Sequence, residues 1–214
     1  MKHFQQELAQ LKQQVLDMGS LAESMVAEAS RALIHGERAS IQHVGTSEPQ
    51  LDRLQIEIDR EAIRLITIYT PVAKDLRFLL MIARITSELE RIGDQAVDNC
   101  EYAELLTVPR PPLADLSKMS EMVLGMVHDA LRAFQEEDTK MAHAVMTLDD
   151  RVDALNAQIF RELLEHPAAD RDIRAQSMSL ILVARSLERM DDHATNICEE
   201  VFYLVEAADI RHQT

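Results

Sequence analysis

Apolar residues recur at intervals of three and four along most of the chain, the spacing of amphipathic helices. From Phe4 to about His35, Leu8, Leu11, Val15, Met18, Met25, Val26, Ala29 and Leu33 line one face, and Gly36 closes this first helix. From Glu37 to Thr70, Leu51, Leu54, Ile58, Ile63, Ile66 and Ile68 mark the buried side of a second helix. An interruption is expected around Gly45 to Pro49, with Thr46 or Ser47 capping a restart whose early residue is Pro49. Thr70 is then expected to cap, and Pro71 to open, a third helix running to about Leu106. The stretch T-V-P-R-P-P, Thr107 to Pro112, cannot continue a helix and marks a boundary.

The second half repeats the plan. Leu116 to Phe134 follows the first helix at an offset of 98 residues, which carries Ala32 and Leu33 onto Ala130 and Leu131. Asp138 to Leu164 follows the second at an offset of 101, carrying Leu51, Asp52 and Leu54 onto Val152, Asp153 and Leu155. After a break at His166 to Ala169, Asp170 to about Ala207 forms the last long helix. The predicted fold is therefore all-α: two tandem, sequence-related three-helix bundles, up-down-up repeated with a pseudo-twofold relation. The halves comprise residues 1–107 and 113–214, joined by a proline-rich linker at 108–112. A third helix of more than thirty residues extends roughly 45 Å, so the bundles should be elongated.

The strongest internal match lies in the two third helices. T-S-E-L-E-R-I-G-D-Q-A-V-D-N-C-E at Thr86 to Glu101 and A-R-S-L-E-R-M-D-D-H-A-T-N-I-C-E at Ala184 to Glu199 share seven positions at the offset of 98, Glu90 with Glu188 and Asp94 with Asp192 among them. At about 100° per residue, Glu90, Asp94, Asp98 and Glu101 fall within roughly 80° of one another, beside the apolar face. Glu188, Asp192, Asn196 and Glu199 repeat the stripe. Acidic neighbours four residues apart repel by a few tenths of a kcal/mol per pair. Either a bound cation relieves this, or the stripe is a solvated face on which Arg91 neutralises Asp94 and Arg189 neutralises Asp192. Retention of the carboxylates in phase in both halves brings the cation reading level with the solvated one.

Composition narrows the function classes. A net charge of −15 disfavours nucleic acid and anionic lipid and suits a cation or a basic protein face. Five glycines cannot build a phosphate-cradling loop, and no nucleophile motif is present, so catalysis has little support. With no leader-like or membrane-spanning apolar run, a cytoplasmic location is expected. Cys100 and Cys198 fall on apolar faces and read as core thiols. Carboxylate oxygens favour Mg, Mn or Ca, with Fe or Zn possible where carboxylates bridge. His193, at about 100° from Asp192, is expected to be exposed and outside the stripe. Lys74 and Arg77 are candidates for a partner interface, with ion pairing to Asp75 and neighbouring acids as the plainer alternative.

P-V-A-K-D-L-R at Pro71 to Arg77, E-L-E-R-I-G-D at Glu88 to Asp94 and L-E-R-M-D-D-H-A-T-N-I at Leu187 to Ile197 resemble the PhoU family of phosphate-transport accessory proteins, over essentially the whole chain. The resemblance implies a metal-binding cytoplasmic regulator that restrains the phosphate-starvation response. It implies a homodimer acting between the ATP-binding subunit of the phosphate transporter and the regulon's sensor histidine kinase. Its metal motifs map onto Glu90, Asp94 and Asp98, and onto Glu188, Asp192 and Asn196, with Asp52 and Asp153 as additional ligands. Asn196 in place of the first motif's Asp98 is expected to weaken the second site. A carboxylate-metal oxidase and a metal-independent helical adaptor are the competing functions.

Overall fold

The structure is a computed structural model and describes residues 2–107, 114–165 and 171–207. The first bundle comprises α1 (Lys2–His35), α2 (Arg38–Tyr69) and α3 (Ala73–Glu104). The second comprises α4 (Ala114–Glu136), α5 (Thr139–Met146), α6 (Asp149–Glu165) and α7 (Arg171–Glu206). The all-α, duplicated architecture expected from the periodicity is present. The proline-rich linker at 108–112 and the break expected at His166 to Ala169 lie outside the described residues.

The local expectations that are corrected concern where helices break and begin. The break foreseen at Gly45 to Pro49 does not occur, because α2 runs through it. Pro49 costs the bond to the Gly45 carbonyl, but both residues face solvent and the space beside Gly45 is open. Side chains stitch the same turns: Thr46 Oγ1 donates to the Gln42 and His43 carbonyls at 3.1 and 3.0 Å, and Gln50 Nε2 donates to the Thr46 carbonyl at 3.0 Å. Buried Val44, Ser47 and Leu51 hold the helix down on either side of the proline.

In the second half the segment from Asp138 to Leu164, matched to the second helix at the offset of 101, is split into α5 and α6, at the place where the first half was expected to break. Asp138 caps α5 by accepting from the Lys140 and Met141 amides at 2.8 and 3.1 Å. The chain then tightens, with Leu148 N–H on the Val145 carbonyl at 2.9 Å and Arg151 N–H on the Leu148 carbonyl at 2.9 Å. Asp149 and Asp150 occupy the first turn of α6, where acids complement the helix dipole and favour a new start.

Thr70 does not open α3. It sits in the left-handed region at φ 42° and closes α2, donating its N–H to the Ile66 carbonyl at 3.0 Å. Pro71 and Val72 leave the helix, and α3 begins two residues later than expected, at Ala73. At the α1 end Gly36 behaves as expected, with φ 70° and its N–H on the Ala32 carbonyl at 2.9 Å.

The two bundles share one continuous core, joined by α3 packing antiparallel on α7 and α1 antiparallel on α4. Antiparallel order is plain from the cross-bundle contacts along α3 and α7. Arg77 Nε donates to the Leu204 carbonyl at 3.1 Å, Glu88 meets His193 at 2.7 Å, and Ser186 Oγ donates to the Gln95 carbonyl at 3.1 Å. The repeat offset of 98 carries Glu88 onto Ser186 and Gln95 onto His193, so the second and third contacts exchange under the repeat relation. The bundles thus meet as the two halves of an isologous dimer would, around a pseudo-twofold near the centres of the acidic motifs. Gly19 gives the close approach of α1 to α4, since a Cβ there would strike the Leu131 side chain.

Candidate metal centre

Each acidic motif lies midway along the helix that is most enclosed in its bundle. Ile85, Leu89, Ile92 and Ala96 anchor α3 in the core, and Leu187, Met190, Ala194 and Ile197 anchor α7. The carboxylates therefore ride on rigid supports at the rim of the core.

In the first bundle Glu90 and Asp98 are half-buried and Asp94 is exposed, with Asp52 of α2 facing them. Burial raises the Glu90 carboxyl above the usual range, and repulsion from Asp94 and Asp52 adds to it. Asp94 is raised for the same reasons, by burial and then by Asp52 and Asp98. Asp52, Glu90, Asp94 and Asp98 are thereby brought into one electrostatic group.

The second bundle assembles a different set. Glu188 is raised by burial and then by Asp192 and Asp153; Asp192 is raised by burial and then mainly by Asp149, with Asp153 contributing. Asp149 and Asp191 were not singled out in the sequence. Asp191 is 1% exposed, and no donor reaches either carboxylate oxygen; Asp149 stands against it. Burial, then Asp149 and Asp192, push Asp191 up to about 8. Asp149 is raised by burial and by Asp153. The signal for Asp191 was a difference between the repeats, since the offset of 98 places it opposite Gly93; for Asp149 it was an acid kept in both copies, opposite Glu48 at the offset of 101.

Asn196 is not drawn into this set. Its Nδ2 donates to Glu88 Oε2 at 3.1 Å, across the seam between the bundles. His193 is also on that seam, 7% exposed and bonded through Nδ1 to the same Glu88 oxygen at 2.7 Å. The expectation of an exposed histidine is corrected. Position relative to its own stripe did not reveal that α7 is covered on a second side by α3. Glu88, half-buried, is held below the usual carboxylate range by His193 and Asn196 despite the opposing effect of burial.

The arginines of the motifs offset the acids only in part, Arg91 acting on Glu90 and Arg189 on Asp192. Among the described residues neither Arg91 nor Arg189 forms an ion pair, and Glu90, Asp94, Glu188 and Asp192 all stay raised. Equally, no three acidic, histidine or cysteine side chains among the described residues converge on one point as a coordinated ion requires. Lys74 and Arg77 join the bundles: Lys74 Nζ meets Glu137 at 3.2 Å, where Asp75 was the expected partner, and Arg77 lies over the Tyr203 ring with its centre at 5.9 Å. Cys100 and Cys198 are buried free thiols, and burial raises Cys100 to about 12, so neither is primed as a nucleophile.

The PhoU domain matches this chain twice, over residues 15–103 and 116–201. The chain belongs to the PhoU family. A phosphate-specific transport system accessory protein PhoU homolog of Caulobacter vibrioides is 36% identical over 99% of this chain and 94% of its own length. A homolog of the same description from Aquifex aeolicus is 38% identical over 97% and 95%. The crystal structure of PhoU from Pseudomonas aeruginosa superposes with a TM-score of 0.91 at 33% identity, covering 96% of this chain and 100% of that one. The phosphate transport system regulatory protein PhoU from Streptococcus pneumoniae gives 0.90 at 25% identity, covering 96% and 98%. Each PhoU domain of this chain carries one of the two acidic groups. No helix among the described residues is long and apolar enough to cross a membrane.

Proposed function

We propose that this PhoU-family protein is a metal-binding negative regulator of high-affinity phosphate uptake and of the phosphate regulon. It works by contact with the ATP-binding subunit of the phosphate transporter and with the regulon's sensor histidine kinase, as a cytoplasmic homodimer and without catalysis of its own. The similarity to named phosphate-transport accessory proteins over nearly the full length of both partners supports the phosphate role.

The observation that carries the metal reading is the pair of acidic groups, one per domain, whose carboxyls all stay raised by burial and mutual repulsion although nearby arginines offset part of it. Asp191, buried with both oxygens unpartnered, fits the same reading, since a buried carboxylate needs a cation or a proton. Asp52, Glu90, Asp94 and Asp98 would hold ions in the first domain, and Asp153, Glu188 and Asp192 in the second. The donor set is all oxygen and suits hard cations such as Mg, Mn or Ca, or Fe and Zn through bridging carboxylates. A bound cation supplies the charge that lets these side chains turn inward together from their separated positions.

Deletion of the gene tests the regulatory reading. Constitutive alkaline phosphatase in high phosphate supports it, and unchanged repression removes it. Replacing Glu90, Asp94, Glu188 and Asp192 by Ala then separates a metal-dependent regulator from a metal-independent adaptor, because only the former loses repression.

A further inference from the structure

Among the described residues, the large apolar side chains left exposed lie on α2, α3, α6 and α7 or at their ends, and none on α1, α4 or α5. Five of them gather at one end of the seam between the bundles. Thr107 N–H donates to Gln176 Oε1 and Gln176 Nε2 donates to Thr107 Oγ1, both at 3.0 Å, which sets Leu105 at the end of α3 beside Met178 near the start of α7. Met178 and Leu182 continue the outward stripe of α7 that holds Arg185, Glu188 and Asp192. At about 100° per residue, Phe160 and Leu164 share the flank of α6 that carries Asp153 and turns to α7. The opposite flank is engaged with α4, where Gln158 donates to Asp115 at 3.3 Å. Leu105, Phe160, Leu164, Met178 and Leu182 are each between 38% and 62% exposed.

The fold does not require this patch. In the first domain the equivalents of Phe160 and Leu182 are Asp59 and Arg84, and Arg84 pairs with Glu200 at 3.2 Å. The equivalent of Leu105 is Tyr203, half-buried beneath Arg77. The first domain thus carries charge or cover where the second leaves hydrocarbon in water. Five large side chains, each about half exposed, make on the order of 500 Å² of apolar surface, enough to mark a contact site. That is below the roughly 800 Å² per partner of a standard interface between folded proteins, and suits a short segment. The charges beside the patch select the segment. Arg174 stands one turn before Met178, and Arg185 lies past Leu182; beyond it Asp153 and Asp192 repel Glu188, which Arg185 relieves only in part. A second copy of this chain seated here would set the same acids against one another. We infer that this end of the second domain is a docking groove for an amphipathic helix of another protein, with its apolar side on the five exposed residues and its Lys or Arg residues over Glu188 and Asp192. This inference rests on the reading of the protein as a regulator that acts by contact.

The test titrates the full chain, in chelator, into a fluorescein-labelled peptide of Leu and Lys at helical spacing, with binding read by anisotropy. Expected is binding that a scrambled peptide of the same composition lacks, and that Phe160→Asp with Leu182→Arg, the first domain's own residues, weakens about 10-fold or more. Ile63→Asp, on the equivalent flank of α2, is expected to leave it unaltered. Met178→Ser with Leu164→Ser decides the matter if the first pair of changes unfolds the chain. Absence of binding, equal binding of the scrambled peptide, an unchanged affinity in the folded double variant, or an equal loss with Ile63→Asp overturns the groove. So does sedimentation in which the double variant abolishes a dimer of the unaltered chain, since the patch then belongs to a second copy. In cells the double variant is expected to derepress alkaline phosphatase; full repression by it, where deletion of the gene derepresses, overturns the groove and leaves the regulator reading standing. If deletion itself changes nothing, the regulator reading fails and the peptide measurement alone decides the groove.

Discussion

At the scale of single residues the protein keeps two kinds of buried acid, and they predict opposite behaviour. Glu88 is paired, to His193 at 2.7 Å and Asn196 at 3.1 Å. Glu88→Ala strands both partners on the seam, and the expected loss is about 2 kcal/mol in urea unfolding, the scale of a hydrogen bond to a charged group. Asp191 is unpaired and raised to about 8. With chelator present, the folded chain holds a proton at Asp191 that the unfolded chain, with an ordinary carboxyl near 3.8, has released. Folding stability should therefore rise as pH falls from above 8 towards about 4, and the penalty is fully present above pH 8. Thermal melts at pH 6 and pH 8.5 in chelator measure it, and Asp191→Asn should flatten the difference. The shared carboxylates of the motifs were legible in the sequence because duplication displays what two copies have in common. Asp191 was not, because its signal is what the copies do not share: it stands opposite Gly93. His193 was misplaced for another reason: angles on one helix say nothing about a second helix covering its flank.

At the scale of elements, the same hydrophobic pattern yields one helix in the first domain and two in the second. Pro49 suggested a break that α2 does not make, since its lost bond faces water and neighbouring side chains serve the carbonyls. The break in the second domain falls before Asp149 without any proline or glycine at the junction. Turn chemistry and the acids of the new first turn decide it, and apolar periodicity is blind to both. Packing between α2 and α3 gives a direct test. Gly93→Ala would press a methyl group into buried Leu51, and the expected cost is about 1 to 3 kcal/mol. Leu51→Val, which imitates Val152, should return part of that loss in a double-mutant cycle measured by urea unfolding. Additive losses would show that the two side chains do not meet.

At the scale of the whole molecule, the fold is a duplicated bundle closed on itself through unlike pairs. Glu88 meets His193 where its repeat equivalent Ser186 meets Gln95, so a pairing of like with like would set Glu88 against Gln95 and His193 against Ser186. That pairing leaves the half-buried Glu88 carboxylate without its imidazole and amide partners, which disfavours exchange of α3 between two molecules. Lys74 with Glu137 and Arg77 with Leu204 close the same seam at one end. Helix order and repeat symmetry were legible because they follow from apolar spacing and an offset of 98. The seam was not, because its polar contacts join residues about a hundred positions apart. Both acidic motifs lie on the two helices of this seam, so charge taken up there bears on the contact between the domains. The most direct measurement is metal content after equilibrium dialysis against Mn2+, for the unaltered chain and for Glu90→Ala, Asp94→Ala, Glu188→Ala and Asp192→Ala combined. Bound Mn2+ in the first and almost none in a still-helical variant is the predicted result; equal content in the two, or none in either, contradicts it.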